Sequence, residues 1–192
     1  MSHKRNGNWR RLALCIGPLL ALSACAEGSN LPPLPGTHNS AYHLGVGDQV
    51  RVLTFGEEQL TGEFRVNDSG NIDLPLVGAL PASGRTTSEL STEIADELRS
   101  KKLMRDPSVS VEVTNYRPIF VLGEVSHPGQ YPYQPGMTVL TAVTVAGGFT
   151  YRAIKGYASI LRTSNGKAVE GKVSRQTYVE PGDVITIYER HF

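Results

Sequence analysis

Along residues 42–192 the apolar positions change spacing several times, from every second residue to every third or fourth and back. QVRVLTF (49–55) alternates, with Val50, Val52 and Thr54 on one side and Arg51 and Leu53 on the other, which predicts a strand. EFRV (63–66) and NIDLPL (71–76) flank the turn signal Asn67-Asp-Ser-Gly70, so the pattern predicts a hairpin. Pro75 would put the second arm at a sheet edge or a strand end. Leu90, Ile94 and Leu98 then recur every four residues, while Glu89, Glu93 and Glu97 mark another face. Thr86 with Glu89 three residues later fits a capping box, and Arg99, Lys101 and Lys102 stand where the helix dipole favours cations. SVSVEVT (108–114) returns to alternation, with Val109, Val111 and Val113 on one face of a strand.

A second unit opens at Pro118-Ile-Phe-Val-Leu122. Gly123 to Gly129 form a turn, and Gln130 to Tyr133 are expected to return as a short strand. Thr138 is a natural N-cap for VLTAVTVA, with Gly147-Gly148 as its stop. YASILR and AVEGKV flank Asn165-Gly166, a two-residue hairpin signal, and VITIYER closes the chain as a last strand. Gly47-Asp48-x-Val50-x-Val52 is echoed by Gly182-Asp183-x-Ile185-x-Ile187; both aspartates are expected to form turns by bonding nearby backbone. The fold class expected is α+β, two small mixed α/β domains with one helix on a sheet face in each, the second suiting a β-grasp.

The first residues do not belong to this pattern. Lys4, Arg5, Arg10 and Arg11 precede an apolar run from Leu12 to Leu22 that is shorter than the roughly 20 residues of a membrane-spanning helix. It has the composition of a secretory signal. Leu22-Ser23-Ala24-Cys25 matches the lipobox of bacterial lipoproteins, which implies lipid attachment at Cys25 after removal of residues 1–24. Residues 25–40, with Leu31-Pro-Pro-Leu-Pro-Gly36, are expected to be an extended tether holding the folded part off the membrane. The folded domains are then 41–115 and 116–192.

Charge and cysteine content narrow the function. Four of the 19 basic residues leave with the signal, and 15 against 18 acidic ones gives a net charge of −3. That is no footprint for nucleic acid. Cys15 also leaves, so no cysteine besides Cys25 remains for a nucleophile, a zinc site or a disulfide.

These motifs together resemble the polysaccharide export lipoproteins, outer-membrane components of capsule and exopolysaccharide secretion. The first unit resembles the export domain through Tyr42, Leu44-Gly45-x-Gly47-Asp48-x-Val50, Val66-Asn67-x-x-Gly70-x-Ile72-x-Leu74-Pro75-x-x-Gly78, Gly84-x-Thr86 and Asp106-Pro107-x-Val109-x-Val111. The second resembles the soluble-ligand-binding β-grasp (SLBB) domain through Val121-x-Gly123-x-Val125-x-x-Pro128-Gly129-x-Tyr131, Thr138-x-Leu140-x-Ala142, Ala146-Gly147-Gly148 and Pro181-Gly182-Asp183. Val46 departs from the family, which usually has proline there. The chain ends at Phe192 soon after its last strand, so the resemblance implies a short form lacking the C-terminal pore helix of long members.

The candidate chemistry is sparse. His38, His43, His127 and His191 form no HxH or HExxH motif, so no metal site is expected. Glu57-Glu58 are adjacent, not paired across a cleft, and no nucleophile elbow or phosphate-cradling loop appears. No catalytic residue and no cofactor is expected. His127 sits in a Pro-Gly turn, and Tyr131 and Tyr133, two apart on the expected strand, would point to one side. These three are the candidates for glycan or subunit contact; packing beneath the domain is the alternative for the tyrosines.

The resemblance implies a non-enzymatic, lipid-anchored outer-membrane protein facing the periplasm of a Gram-negative bacterium. Its partners would be the polysaccharide, an inner-membrane polysaccharide co-polymerase (tyrosine-kinase linked in some systems), a separate outer-membrane pore protein and further copies in a homo-oligomeric ring. A periplasmic lipoprotein capturing a soluble glycan or small molecule is the alternative.

Overall fold

The computed structural model describes residues 27–35, 41–164 and 166–190. The signal segment, Cys25, His38 and His191 lie outside the described residues.

In the first unit β1 (Gln49–Thr54) is central, with β2 (Gly62–Arg65) and β5 (Val109–Asn115) antiparallel on either side. Val50 and Val52 face inward from β1 and pair with Val113 and Val111 of β5. The helix α1 (Thr87–Ser100) buries Leu90, Ile94 and Leu98 against this sheet, the face that the four-residue spacing marks. Its start is fixed as the sequence requires: the Thr86 hydroxyl accepts from the Glu89 amide, and the Glu89 carboxylate accepts from the Thr86 amide.

The expected hairpin across Asn67–Gly70 does not form. The turn is present, with the Asn67 side chain accepting from the Ser69 and Asn71 amides, but the strands beyond it have other partners. β2 pairs with β1, whereas β3 (Asn71–Leu74) pairs with β4 (Gly78–Pro81). Pro75 ends β3, and Leu76 at φ 63° helps fold the chain straight back. The β3–β4 ribbon buries Ile72, Leu74 and Leu80 in the shared core, apolar burial that pairing with β2 alone does not dictate.

The second unit is a five-stranded mixed sheet in the order β7-β6-β10-β8-β9. Its strands are β6 (Ile119–Gly123), β7 (Gly129–Tyr131), β8 (Ala158–Ser164), β9 (Lys167–Val173) and β10 (Val184–Ile187). β10 runs parallel to β6 and antiparallel to β8, placing the last strand at the centre. The helix α2 (Val139–Val145) covers one sheet face with Val139, Ala142 and Val143, meeting Ile119, Val121, Ile160, Ile185 and Ile187. Thr138 caps α2 as expected, and Thr141 completes the box.

Of the expected tether the structure describes residues 27–35, which turn at 27–30 and then lie along the second unit instead of standing clear of it. Pro33 lies beside Lys172 as a parallel bridge, with Lys172 N–H donating to Pro32 O at 2.8 Å and Leu34 N–H donating to Lys172 O at 3.1 Å. Leu34 packs on the second core. Gly171 permits this close approach, because a side chain there would strike the Leu34 backbone. The segment therefore covers the β9 edge at Gly171 and Lys172, where backbone would otherwise be unpaired, and leaves residues 167–170 exposed.

Candidate functional site

The two units meet through Tyr116-Arg117-Pro118, the link between β5 and β6. Each unit turns a Gly-Asp corner toward this link. In the first corner the buried Asp48 carboxylate accepts from the Gly45 amide at 2.8 Å, from the Tyr42 hydroxyl at 2.5 Å and from the Arg117 amide at 2.9 Å. In the second, Asp183 accepts from the Glu180 amide at 2.7 Å. Both aspartates thus bond the amide three residues earlier, the turn role that the echo implies. Their remaining capacity goes elsewhere: Asp48 holds the link, while Asp183 receives Arg162 through Nε at 2.9 Å and Nη2 at 2.7 Å.

Arg117 lies between the corners. Its Nε donates to Pro181 O at 2.9 Å, and its guanidinium stands 5.9 Å from the Tyr42 ring centre. A side chain at Gly45 would run into this guanidinium, and a Cβ at Gly182 would come within 3.1 Å of Nε. The glycines of both corners therefore leave the space that Arg117 fills. Alongside, Tyr42, Tyr116 and Tyr133 form successive edge-to-face contacts with ring centres 5.1 and 5.3 Å apart.

Burial and the hydrogen bond to Asp48 push the Tyr42 hydroxyl well above its ordinary ionisation range. Burial also raises Tyr116 and Tyr133. A raised folded-state value means that the Tyr42 contribution is fully present below the unfolded value of 10.0 and is lost as pH rises beyond it. Tyr42→Phe should cost about 1–2 kcal/mol at neutral pH by removing a charge-assisted hydrogen bond. It should also shallow the fall of Tm above pH 10, the unperturbed tyrosine value. Unfolding curves from neutral to alkaline pH check both; an unchanged alkaline limb would contradict this role.

Beside the joint, Val46, Arg65, Asn67, Asp68, Arg117 and Pro118 line an open cleft. Its lining mixes the apolar Val46, Val66 and Pro118 with the charged Arg65, Asp68 and Arg117, while the Asn67 side chain is taken up by Ser69, Asn71 and Asp73.

The three contact candidates do not form one site. His127 is exposed in its turn, its amide donating to Ala146 O at 2.9 Å and its carbonyl accepting from the Tyr131 hydroxyl at 2.5 Å. Tyr133 does not share a strand with Tyr131: β7 stops at Tyr131, Pro132 follows, and Tyr133 turns to Tyr116 at the joint. Both tyrosines are partly buried against the second core. Sequence reasoning did not single out Tyr116 and Arg117 at the joint, nor Arg162 as the partner of Asp183. The signal available was the repeated Gly-Asp corner, with one arginine in the short link between the two units.

Residues 37–114 match the family model described as polysaccharide biosynthesis/export protein, and residues 118–173 match the SLBB domain. The boundary between the two matches falls at the Tyr116-Arg117-Pro118 link. Over 161 residues the chain is 39% identical to the exopolysaccharide production protein ExoF of Rhizobium meliloti, covering 77% of this chain and 37% of that protein. Over 106 residues it is 31% identical to the EPS I polysaccharide export outer membrane protein EpsA of Ralstonia nicotianae, covering 54% of this chain and 27% of that protein. It is 28% identical over 112 residues to the polysialic acid transport protein KpsD of Escherichia coli, covering 57% of this chain and 20% of that protein. The chain thus spans between a fifth and somewhat over a third of the length of these curated relatives.

Proposed function

This chain belongs to the polysaccharide export family, and from that premise we propose that it works, without catalysis, in secreting an exopolysaccharide or capsular polysaccharide across a Gram-negative envelope. The observation that carries the reading is the succession of an export unit and an SLBB unit in one chain, matched in that order. The names of the relatives support it, each pointing to production, export or transport of a polysaccharide.

On this reading Cys25 carries lipid, anchors the chain to the outer membrane and leaves the folded units in the periplasm. Copies assemble into a ring that a growing polysaccharide crosses, docked on an inner-membrane co-polymerase. The joint gives such a ring a rigid subunit, because Arg117 and Asp48 tie both units to the link. Walls that mix charged and apolar groups, like those of the Arg65–Arg117 cleft, would let a sugar chain exchange one weak contact for the next. His127 on its exposed turn remains a contact candidate for a neighbouring copy or the polymer. The partly buried Tyr131 and Tyr133 can contribute only their accessible edges.

Two outcomes are expected. Replacing Cys25 with Ser should leave the protein unlipidated and out of the outer-membrane fraction; unchanged fractionation would remove the anchor from the account. Lipidated protein extracted in detergent should sediment as an oligomer of defined mass. A strict monomer, both alone and with the co-polymerase, would sink the ring.

A further inference from the structure

The N-terminal segment is built into the second unit, and it enters from one particular end. Glu27 O accepts from the Tyr157 hydroxyl at 2.9 Å, and Ser29 O accepts from Lys172 Nζ at 3.3 Å. The Lys172 ammonium also lies 4.4 Å from the centre of the Tyr157 ring. A side chain at Gly28 would run into the Tyr188 ring. From this anchorage the chain follows the β9 edge to Leu34.

The topology places that anchorage away from the joint. β6 and β10 start beside Pro118 and Gly182, run parallel, and finish at Gly123 and Ile187. Beyond their ends residues 152–154 pair with 188–190: Ile154 N–H donates to Tyr188 O, and Arg190 N–H to Arg152 O, both at 2.8 Å. The loop of residues 150–157 therefore caps the end of the sheet opposite the first unit. It presents Tyr151, 83% exposed, together with exposed Lys155 and the half-buried Tyr157.

We infer that this end of the second unit, formed by Tyr151, Lys155 and Tyr157, is a membrane-contact surface whose partner is the lipid headgroup layer. The inference rests on the lipid-anchored reading of Cys25. From Cys25 to Glu27 is a step of two residues, which reach at most about 7 Å when extended. The headgroup zone is itself about 5–8 Å deep on each side of the hydrocarbon. A lipid chain starting at Cys25 leaves too little slack for the Glu27–Tyr157 contact to stand far from the bilayer. An exposed tyrosine suits that zone because its ring is amphipathic, and the Lys155 cation complements anionic headgroups. The first unit, across the joint, then projects away from the membrane.

The natural sequence supplies a clean background for a test, because its one tryptophan, Trp9, lies in the signal segment. Tyr151→Trp places a probe on the inferred surface. Phe55→Trp places one in the first unit, at an 85% exposed position just past the β1 end remote from Asp48. Both full-length precursors are expressed, processed and reconstituted into phosphatidylethanolamine–phosphatidylglycerol vesicles containing acyl chains brominated near the headgroup. Emission of Tyr151→Trp should be blue-shifted and quenched about threefold more strongly than that of Phe55→Trp. Equal quenching, or stronger quenching at position 55, in protein that floats with the vesicles would overturn the surface while leaving the anchor intact. Failure of both variants to float, as expected for a Cys25→Ser control, would overturn the anchor and the surface together.

Discussion

Asp183→Ala should destabilise the protein by about 2–4 kcal/mol, because it removes two charge-assisted hydrogen bonds from a mostly buried Arg162, which keeps Glu180 through Nη1 at 2.6 Å. The Asp183 side chain is 1% exposed and that of Arg162 11% exposed, so solvent cannot replace the lost contact. Burial pushes the Asp183 carboxyl above its ordinary value against the pull of Arg162. The variant also frees the Glu180 amide at the corner whose Pro181 carbonyl receives Arg117. The loss should therefore extend to the joint. Denaturant unfolding measures the first effect, and hydrogen exchange at the Arg117 amide measures the second. In a double-mutant cycle, adding Arg162→Met should recover part of the loss, because the buried cation is removed as well. A cost below about 1 kcal/mol would place the pair among weak surface bridges and contradict its buried role.

Much of this architecture is legible locally in the sequence. Thr86 with Glu89, and Thr138 with Gly147-Gly148, set both helices, because caps and stops act over one turn of chain. The β8–β9 hairpin follows from its turn, and the twin Gly-Asp corners from the preference of aspartate for nearby backbone.

What the sequence withholds is the choice of distant partners. EFRV and NIDLPL look like the arms of one hairpin, yet β2 joins β1 and β3 folds back on β4, since the shared core decides between pairings of similar local quality. Nothing local shows that Pro32 and Leu34 bond Lys172, or that β10 lies parallel to β6 across some sixty residues of chain. The joint was half visible: the corners could be read, but Arg117 acquires its role only when both face it. Tyr131 and Tyr133 share a face only if the strand continues through Pro132, and it does not.

The largest effect expected lies at the level of the cell. If the chain works in export, deleting its gene should stop polymer reaching the medium and surface while synthesis continues, so that polysaccharide is retained within the envelope. Restoring the wild-type gene should return polymer to the outside. Asp183→Ala, which the joint argument predicts to be destabilised, should restore less than wild type in step with its lower folded level. A ligand-capturing lipoprotein would behave otherwise, binding a defined oligosaccharide as a monomer and leaving secretion untouched when deleted. The decisive measurement is thus the ratio of secreted to retained polysaccharide in the deletion strain. A collapse of that ratio is expected; an unchanged ratio would contradict a role in export.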